Sequence, residues 1–212
     1  MKTLHPDLIM YAYDGIVHHP LIINSLTNDV SNINQVYLQK IAQVAAAEAQ
    51  GEWRTYVFLH ERPYRLKGLI AATKKGLKKN PSEFWALVGN VWTDSENIRQ
   101  HLKQWKQLWA TELGGRRACM SQEDAVIFDS LPEQIEVWRG TNLKRQIAGL
   151  SWTLDQEKAI WFAQRAESTR LVATGMVNKR DVLAYFGVRG EREIVSMRVS
   201  ITSVTDLKSR SI

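Results

Sequence analysis

Two glutamates near the carboxyl end of the chain are its clearest candidates for acid–base or electrostatic chemistry. Glu191 and Glu193 are separated by Arg192, and in an extended segment residues two apart project from the same face. A carboxylate beside a reacting centre can take a proton or stabilise a positive charge that develops in the transition state. Alternating Glu and Arg is also common on a solvated strand edge, so the pair needs support from other segments.

Two further segments carry groups that suit a phosphate or a sugar. Arg139 precedes Gly140 at the end of a predicted strand, where a guanidinium offers a fixed fork of donors and Gly lets a ligand approach the main chain. Ser151 and Thr153 share a face of a second predicted strand, next to a helix start that favours an anion. The alternatives are a surface Arg before a turn and a strand-to-helix connection capped by Asp155.

In chain order these segments resemble the arginine–serine–glutamate class of ADP-ribosyltransferases, over about residues 131–204. In that family an Arg on the first core strand binds NAD, a Ser-x-Ser/Thr motif on the second shapes the nicotinamide pocket, and an E-x-E motif supplies the catalytic Glu. The matching positions are Arg139, Ser151 with Thr153, and Glu191 with Glu193. The stretch 159–163 also looks like the helix that follows the Ser motif in phage and bacterial members. Arg139 and Ser151 are closer than in many members, yet their separation permits neighbouring strands.

The resemblance implies how NAD would be cleaved. Breaking the nicotinamide–ribose bond gives the ribose oxocarbenium character, which Glu193 would stabilise through the ribose 2′-hydroxyl. Glu191 would orient or deprotonate the acceptor, Phe162 or Trp152 would stack on the nicotinamide ring, and the Gly140 main chain would hold its amide. The expected catalytic residues are Glu193, Glu191, Arg139 and Ser151, and the expected cofactor-binding residues are Arg139, Gly140, Ser151, Trp152, Thr153 and Phe162. No metal is expected.

The elements that position these residues change character near residue 131. The predicted helices before it cover 36–50, 53–66, 66–79 and 81–88. The segment Thr93–Glu96 has the pattern of a capping box and predicts the start of a helix that buries Trp105 and Trp109 and ends at Gly114–Gly115. The N-terminal portion is therefore expected to be mainly helical.

After residue 131, β-branched residues and turn punctuation predict strands. The predicted strands are 135–138, 149–154, 171–177, 182–186 and 193–204, with a helix after Asp155. The sequence therefore predicts an α+β fold in two parts. The first predicted part is a helical region, 1–130, which either recognises the acceptor or a partner or belongs to one larger domain. The second predicted part, 131–212, is a compact ADP-ribosyltransferase-like split β-sheet core.

A basic segment in the N-terminal portion bears on the acceptor. Seven bases and no acid occur between residues 62 and 79, namely Arg62, Arg65, Lys67, Lys74, Lys75, Lys78 and Lys79. They could track a phosphate backbone or form only a solvated helix face. The net charge of +6 and pI near 9.5 suit a polyanion. In the resembled family, a Glu two residues before the catalytic one often accompanies transfer to protein arginine. Both acceptor classes stay open, with RNA or DNA slightly favoured.

Composition limits the remaining classes of protein and site. Eight Trp in 212 residues serve as core anchors or as stacking platforms, and the core is favoured. The single cysteine, Cys119, excludes an internal disulfide and a cysteine-built zinc site, and is predicted to be a small buried residue rather than a nucleophile. No secretory pattern and no run of about 18 apolar residues is present, so a soluble cytoplasmic protein is expected.

These features predict an NAD-dependent mono-ADP-ribosyltransferase of toxin or effector type that modifies a macromolecular acceptor. Some relatives in the resembled family act in phage conflict or as intracellular toxins, so a neutralising antitoxin or other partner protein is also expected, and no membrane. The alternatives are an arginine-specific protein ADP-ribosyltransferase and a non-catalytic nucleic-acid-binding module of the same fold. A third alternative is a helical interaction protein in which the motifs are accidental.

Overall fold

A computed structural model describes residues 3–96, 98–165 and 169–207, with the backbone alone at Arg189. The chain divides into two compact units, Met1–Ser95 and Glu96–Ile212. The change of pattern predicted at residue 131 lies inside the second unit, because helical segments before it pack with the sheet that follows. The predicted α+β class is confirmed. The ADP-ribosyltransferase-like identity of the core stays a prediction.

The first unit combines helices with a small antiparallel sheet that the sequence pattern did not predict. Its helices are α1 (Pro6–Ile9), α2 (Val30–Gln50), α3 (Trp53–Phe58), α4 (Arg65–Lys75) and α5 (Pro81–Asp94). Its strands are β1 (Ala12–Tyr13), β2 (Ile16–His19) and β3 (Ile22–Ser25), paired in that order. Asp14 and Gly15 both have positive φ, as in the tight hairpin turns that favour Asp-Gly. Strands this short show no clear alternation of apolar and polar residues, so the sequence pattern did not indicate them.

The capping box predicted at Thr93–Glu96 is wrong, because Thr93 and Asp94 form the last turn of α5. The Thr93 hydroxyl donates back to the carbonyl oxygen of Gly89 at 3.1 Å, and the Ser95 hydroxyl donates to that of Val91 at 2.6 Å. Hydroxyls at a helix end can satisfy the final carbonyls as readily as the first amides. The same residue types therefore close α5 instead of opening the next helix.

The second unit is built on a six-stranded antiparallel sheet. Its helices in the described ranges are α6 (Leu102–Trp109), α7 (Gln122–Ser130) and α8 (Gln156–Gln164). Its strands are β4 (Gln134–Thr141), β5 (Ser151–Thr153), β6 (Leu171–Asn178), β7 (Val182–Phe186), β8 (Glu193–Ser196) and β9 (Ser200–Asp206), in the spatial order β7-β8-β5-β4-β6-β9. Trp105 and Trp109 are buried on α6, as predicted, but α6 ends well before Gly114–Gly115.

The strand predicted over 193–204 is two strands, β8 and β9, at different places in the sheet. The chain turns after Ser196, whose hydroxyl oxygen accepts the Arg198 N–H at 3.0 Å and donates to the Asp181 carbonyl oxygen at 2.9 Å. This buried serine anchors the turn, so β9 leaves β8 and pairs with β6 at the far edge. The other predicted strands are confirmed with small shifts of their ends.

The two faces of this sheet pack differently around β4. One face carries a hydrophobic cluster that includes Val137 and Trp152. On the opposite face α8 packs mainly over β4 and β6, with its Ala159 and Ala163 against Val172 of β6. Gly140 lets the α8 backbone approach β4 closely, because a Cβ there would overlap the Ala159 carbonyl oxygen. Close packing of α8 is therefore a physical reason for glycine at position 140.

We predict that Gly140→Ala destabilises the chain by at least about 2 kcal/mol, because the new methyl group must push α8 away from β4. A Cβ at Gly140 would lie 2.7 Å from the Ala163 nitrogen as well. Denaturant unfolding followed by circular dichroism measures the change. The matched control is Gly114→Ala, where no atom lies within 4 Å of the added Cβ. Equal unfolding midpoints for the two variants would contradict the packing described here.

Candidate active site

The three motif segments lie on neighbouring strands, because β5 is between β4 and β8. Thr153 pairs with Glu193 across β5 and β8, and with Trp138 across β5 and β4. Paired residues of antiparallel strands project from one face, and Ser151 is two residues from Thr153. Ser151, Thr153 and Glu193 therefore share one face. Arg139 and Ser151 lie on neighbouring strands, as their short separation in sequence permits.

The guanidinium of Arg139 is bound to main-chain oxygens of its neighbours. Its Nε donates to the carbonyl oxygen of Gln146 at 3.0 Å, and its Nη1 donates to the carbonyl oxygen of Ser151. It also lies against Gly149, where a Cβ would overlap it. Arg139 follows Trp138 along β4 and so starts on the opposite face from Thr153 and reaches around to the β5 main chain. Two of its donors hold β5 onto β4.

The connection between β4 and β5 is itself tightly hydrogen-bonded. The buried Thr141 hydroxyl and Gln146 side-chain amide are 2.7 Å apart at Oγ1 and Oε1, and Trp152 Nε1 donates to the Gly149 carbonyl oxygen at 3.1 Å. Gln146 and Gly149 are site-positioning residues that sequence reasoning missed. A buried Gln has no sequence signature, whereas a Gly at the entrance of a predicted strand was a signal of close backbone approach.

Arg139 and Glu193 interact electrostatically. Burial lowers the pKa of Arg139 to about 10, the Glu193 carboxylate opposes that fall, and Arg99 adds to it. The guanidinium therefore remains protonated at neutral pH. Glu193 is 8% exposed, so cation and carboxylate lie in surroundings of low polarity, where their attraction is stronger than in water.

Thr153 connects β5 to the segment before Glu193. Its hydroxyl donates to the carbonyl oxygen of Glu191 at 2.6 Å and accepts the Asp155 N–H at 3.0 Å. The Asp155 carboxylate caps α8 by accepting the Glu157 N–H at 2.9 Å, so the predicted capping role is confirmed. The Thr153 hydroxyl thus has a positioning role, and of the two hydroxyls we take that of Ser151 as the candidate for binding a ligand.

Glu191 and Glu193 do not form the extended pair that the sequence predicted. Glu191 has helical φ and ψ values of −84° and −18°, and Arg192 has a positive φ of 45°. The strand begins only at Glu193, which is buried, whereas Glu191 is half-buried. The Thr153 hydroxyl and the Leu154 N–H bind the carbonyl oxygens of Glu191 and Arg192 and hold this turn. The two carboxylates therefore have different surroundings.

One of the two predicted stacking rings is excluded by its position. Trp152 is 3% exposed and lies in the hydrophobic cluster with Val137 and Ile194, on the face opposite to Thr153. A buried indole there cannot receive a nicotinamide ring. Phe162 on α8 is half-buried and remains the candidate.

The basic segment lies in the first unit, on α4 and the turns that flank it, rather than on one continuous helix. Gly76, with φ of 132°, separates Lys74 and Lys75 from the last two lysines. Three of the seven bases form ion pairs: Arg62 and Arg65 with Asp94, and Lys75 with Glu48. Within the described residues no carboxylate pairs with Lys67, Lys74, Lys78 or Lys79.

Neither a reactive thiol nor a metal cluster is found among the described residues. Cys119 is buried, as predicted, and burial raises its pKa to about 12, which leaves almost no thiolate at neutral pH. Within residues 3–96, 98–165 and 169–207, no three His, Cys, Asp or Glu side chains come together as a metal site would require. None of the helices in those ranges combines the length and apolar character of a membrane span.

Comparison with known proteins adds no relative: no family model, no curated protein and no solved structure matches the chain. The geometry of Arg139, Ser151, Thr153 and Glu193 is therefore the evidence from which a function can be inferred.

We predict that Arg139→Lys lowers the free energy of unfolding by about 1–3 kcal/mol, because an ammonium lacks the fork that reaches two carbonyl oxygens. Chemical denaturation measures the loss. Arg145→Lys is the matched control, because Arg145 lies exposed in the same connection and should change stability by less than about 0.5 kcal/mol. Unchanged stability of Arg139→Lys would show that the guanidinium does not hold β5 to β4.

Proposed function

We propose that the chain is an NAD-dependent mono-ADP-ribosyltransferase of toxin or effector type. It transfers ADP-ribose to a macromolecular acceptor, with RNA or DNA bases favoured. The observation that supports this most is the meeting of Ser151, Thr153 and Glu193 on one face of adjacent strands. Arg139 is fixed to the Ser151 main chain and interacts electrostatically with Glu193. A neutralising antitoxin or other partner protein belongs to the same proposal.

In this proposal Glu193 supplies the transition-state electrostatics. A carboxylate held in a strand and shielded from water needs no reorganisation when positive charge develops on the ribose, so it favours the transition state over the ground state. The electrostatic attraction between Arg139 and Glu193 favours the carboxylate form of Glu193. Burial alone would favour the neutral acid, which cannot provide this stabilisation.

Arg139 then has two roles in the same proposal. Nε and Nη1 fix the β4–β5 connection, which leaves Nη2 to donate to a phosphate oxygen of the dinucleotide. Ser151 contacts the nicotinamide amide, and Phe162 offers a ring edge or face for stacking. Gly140 is not assigned this contact, because the α8 backbone fills the space beside its Cα. Each of these groups is held by strand pairing or by α8, as a site that must keep its geometry requires.

The separate surroundings of the two glutamates support separate roles. Glu191 is half-buried on a turn, where it can reach an acceptor that arrives from solvent. We assign it the orientation or deprotonation of that acceptor. In the resembled family a Glu two residues before the catalytic one often accompanies transfer to arginine, so an arginine-specific protein transferase is the alternative. The non-catalytic nucleic-acid-binding module is the rival that predicts no NAD turnover.

We predict that Glu193→Gln lowers NAD cleavage by roughly 100-fold or more, because the amide keeps the shape of the side chain but loses its charge. Nicotinamide release from NAD measures the rate. Glu136→Gln is the matched control, since Glu136 lies exposed on β4 of the same sheet and should keep wild-type activity. Wild-type turnover by Glu193→Gln, or no turnover by the wild type, would overturn the proposed activity.

We predict that Glu191→Gln lowers transfer to the acceptor by roughly 100-fold while hydrolysis of NAD by water falls much less, because only the acceptor loses its base. Incubation with labelled NAD and separate pools of RNA, DNA and protein measures both rates. Label in a nucleic-acid pool supports the favoured acceptor, and label only in protein supports the arginine-specific alternative. Equal losses of hydrolysis and transfer would contradict the division of roles.

A further inference from the structure

Trp161 is the tryptophan that the core does not explain. Trp85, Trp92, Trp105, Trp109 and Trp152 are buried, and Trp53 and Trp138 are half-buried. Trp161 is 51% exposed, on the side of α8 opposite to Ala159 and Ala163, which pack against the sheet. A large apolar ring exposed on a well-packed helix suggests a ligand that has a flat apolar face.

Two cations accompany this ring. The Lys158 ammonium lies 5.5 Å from the Trp161 ring centroid, and the Arg165 guanidinium lies 5.1 Å from it. Phe162 meets the same ring edge-on, with centroids 5.0 Å apart. The ring is therefore held in place before any ligand arrives. We call Lys158, Trp161 and Arg165 the α8 patch.

The charges of the α8 patch are available to a ligand. Within the described residues neither Lys158 nor Arg165 has a carboxylate partner, and both side chains rest on the Trp161 ring. A contact between a cation and an exposed ring is weak, whereas a hydrogen bond from the same cation to a phosphate oxygen is strong. A phosphate would therefore draw either side chain off the ring and leave a ring face open.

The two cations are spaced for a chain of phosphates rather than for one. Lys158 and Arg165 are seven residues apart, which is about 10 Å along a helix with Trp161 between them. Nucleotides that advance by about 3.4 Å along a strand place several phosphates within that span. An aromatic ring flanked by cations is the arrangement with which proteins bind single-stranded nucleic acid, by stacking a base and neutralising its backbone.

We propose that the α8 patch binds single-stranded nucleic acid, with a base stacked on Trp161 and backbone phosphates on Lys158 and Arg165. The helix that carries the patch begins directly after Thr153 and Asp155, so Trp161 lies about 9 Å along the helix from the candidate active site strand. This assignment deepens the proposed function by naming the residues that hold its acceptor. Binding itself requires no NAD.

The test measures binding of fluorescein-labelled single-stranded oligouridine by fluorescence anisotropy, without NAD. We expect Trp161→Leu to weaken binding about 5- to 100-fold, because leucine keeps apolar contact but cannot stack, and Trp161→Phe to retain most of the affinity. The double variant Lys158→Gln with Arg165→Gln should lower the slope of log K against log salt by about 1.4, since each lost phosphate contact on a single strand contributes about 0.7. Circular dichroism and unfolding midpoints confirm that each variant is folded.

The matched control is the double variant Lys67→Gln with Lys74→Gln in the basic segment, whose side chains are exposed and have no carboxylate partner among the described residues. We expect it to weaken binding less than Trp161→Leu does. Binding that falls with the control but not with Trp161→Leu, or no binding by the wild type, would overturn the assignment. Binding without NAD cleavage would refute the proposed activity and leave the α8 patch standing, so the two failures are distinguishable.

Discussion

The sheet of the second unit depends on the guanidinium of Arg139, which is held by main-chain carbonyl oxygens of the same unit. The Arg139 guanidinium has exchanged water for the carbonyl oxygens of Gln146 and Ser151, and its burial is costly enough to lower its pKa. That cost is offset only while both acceptors stay in place. The β4–β5 connection and the start of β5 are therefore fixed together, since moving either would leave a buried charge without its hydrogen bonds.

The remaining site geometry follows from the position of β5. Once β5 is fixed, Thr153 reaches the carbonyl oxygen of Glu191 and pairs with Glu193, so the turn before β8 is held from the neighbouring strand. The buried Glu193 carboxylate in turn favours the charged form of Arg139. Three strands are thus linked by the Arg139 bond to the β5 main chain, the Thr153 bond to the turn before β8 and the attraction between Arg139 and Glu193, although these residues are far apart in sequence. This mutual dependence is what a preorganised electrostatic site requires.

The sequence predicted the order and type of these elements better than the contacts between them. Strand positions around Arg139 and Ser151 followed from β-branched residues and from glycine, and both are local signals. The turn at Glu191 did not follow, because its left-handed Arg192 is imposed by hydrogen bonds from β5. The prediction that Trp152 stacks on the nicotinamide ring was wrong for a related reason. The side chain of a residue inside a strand motif can face either the core or the ligand. Register alone decides between those faces.

The basic residues show the same difference, because the sequence shows their positions but not the partners that they contact. The segment from Arg62 to Lys79 contains most of the obvious basic character of its unit, yet Arg62, Arg65 and Lys75 are engaged by Asp94 and Glu48. The sequence does not indicate a basic cluster at Lys158 and Arg165, because Glu157 is next to Lys158 and six residues, including Trp161, separate the two bases. An ion-paired base must lose a carboxylate before it binds a phosphate, whereas a base that rests on an aromatic ring loses only a weak contact. Phosphate affinity therefore depends on which partner a base must leave. Lys67, Lys74, Lys78 and Lys79 leave no carboxylate among the described residues, so the α8 patch differs from them in its exposed Trp161 ring, on which a base can stack.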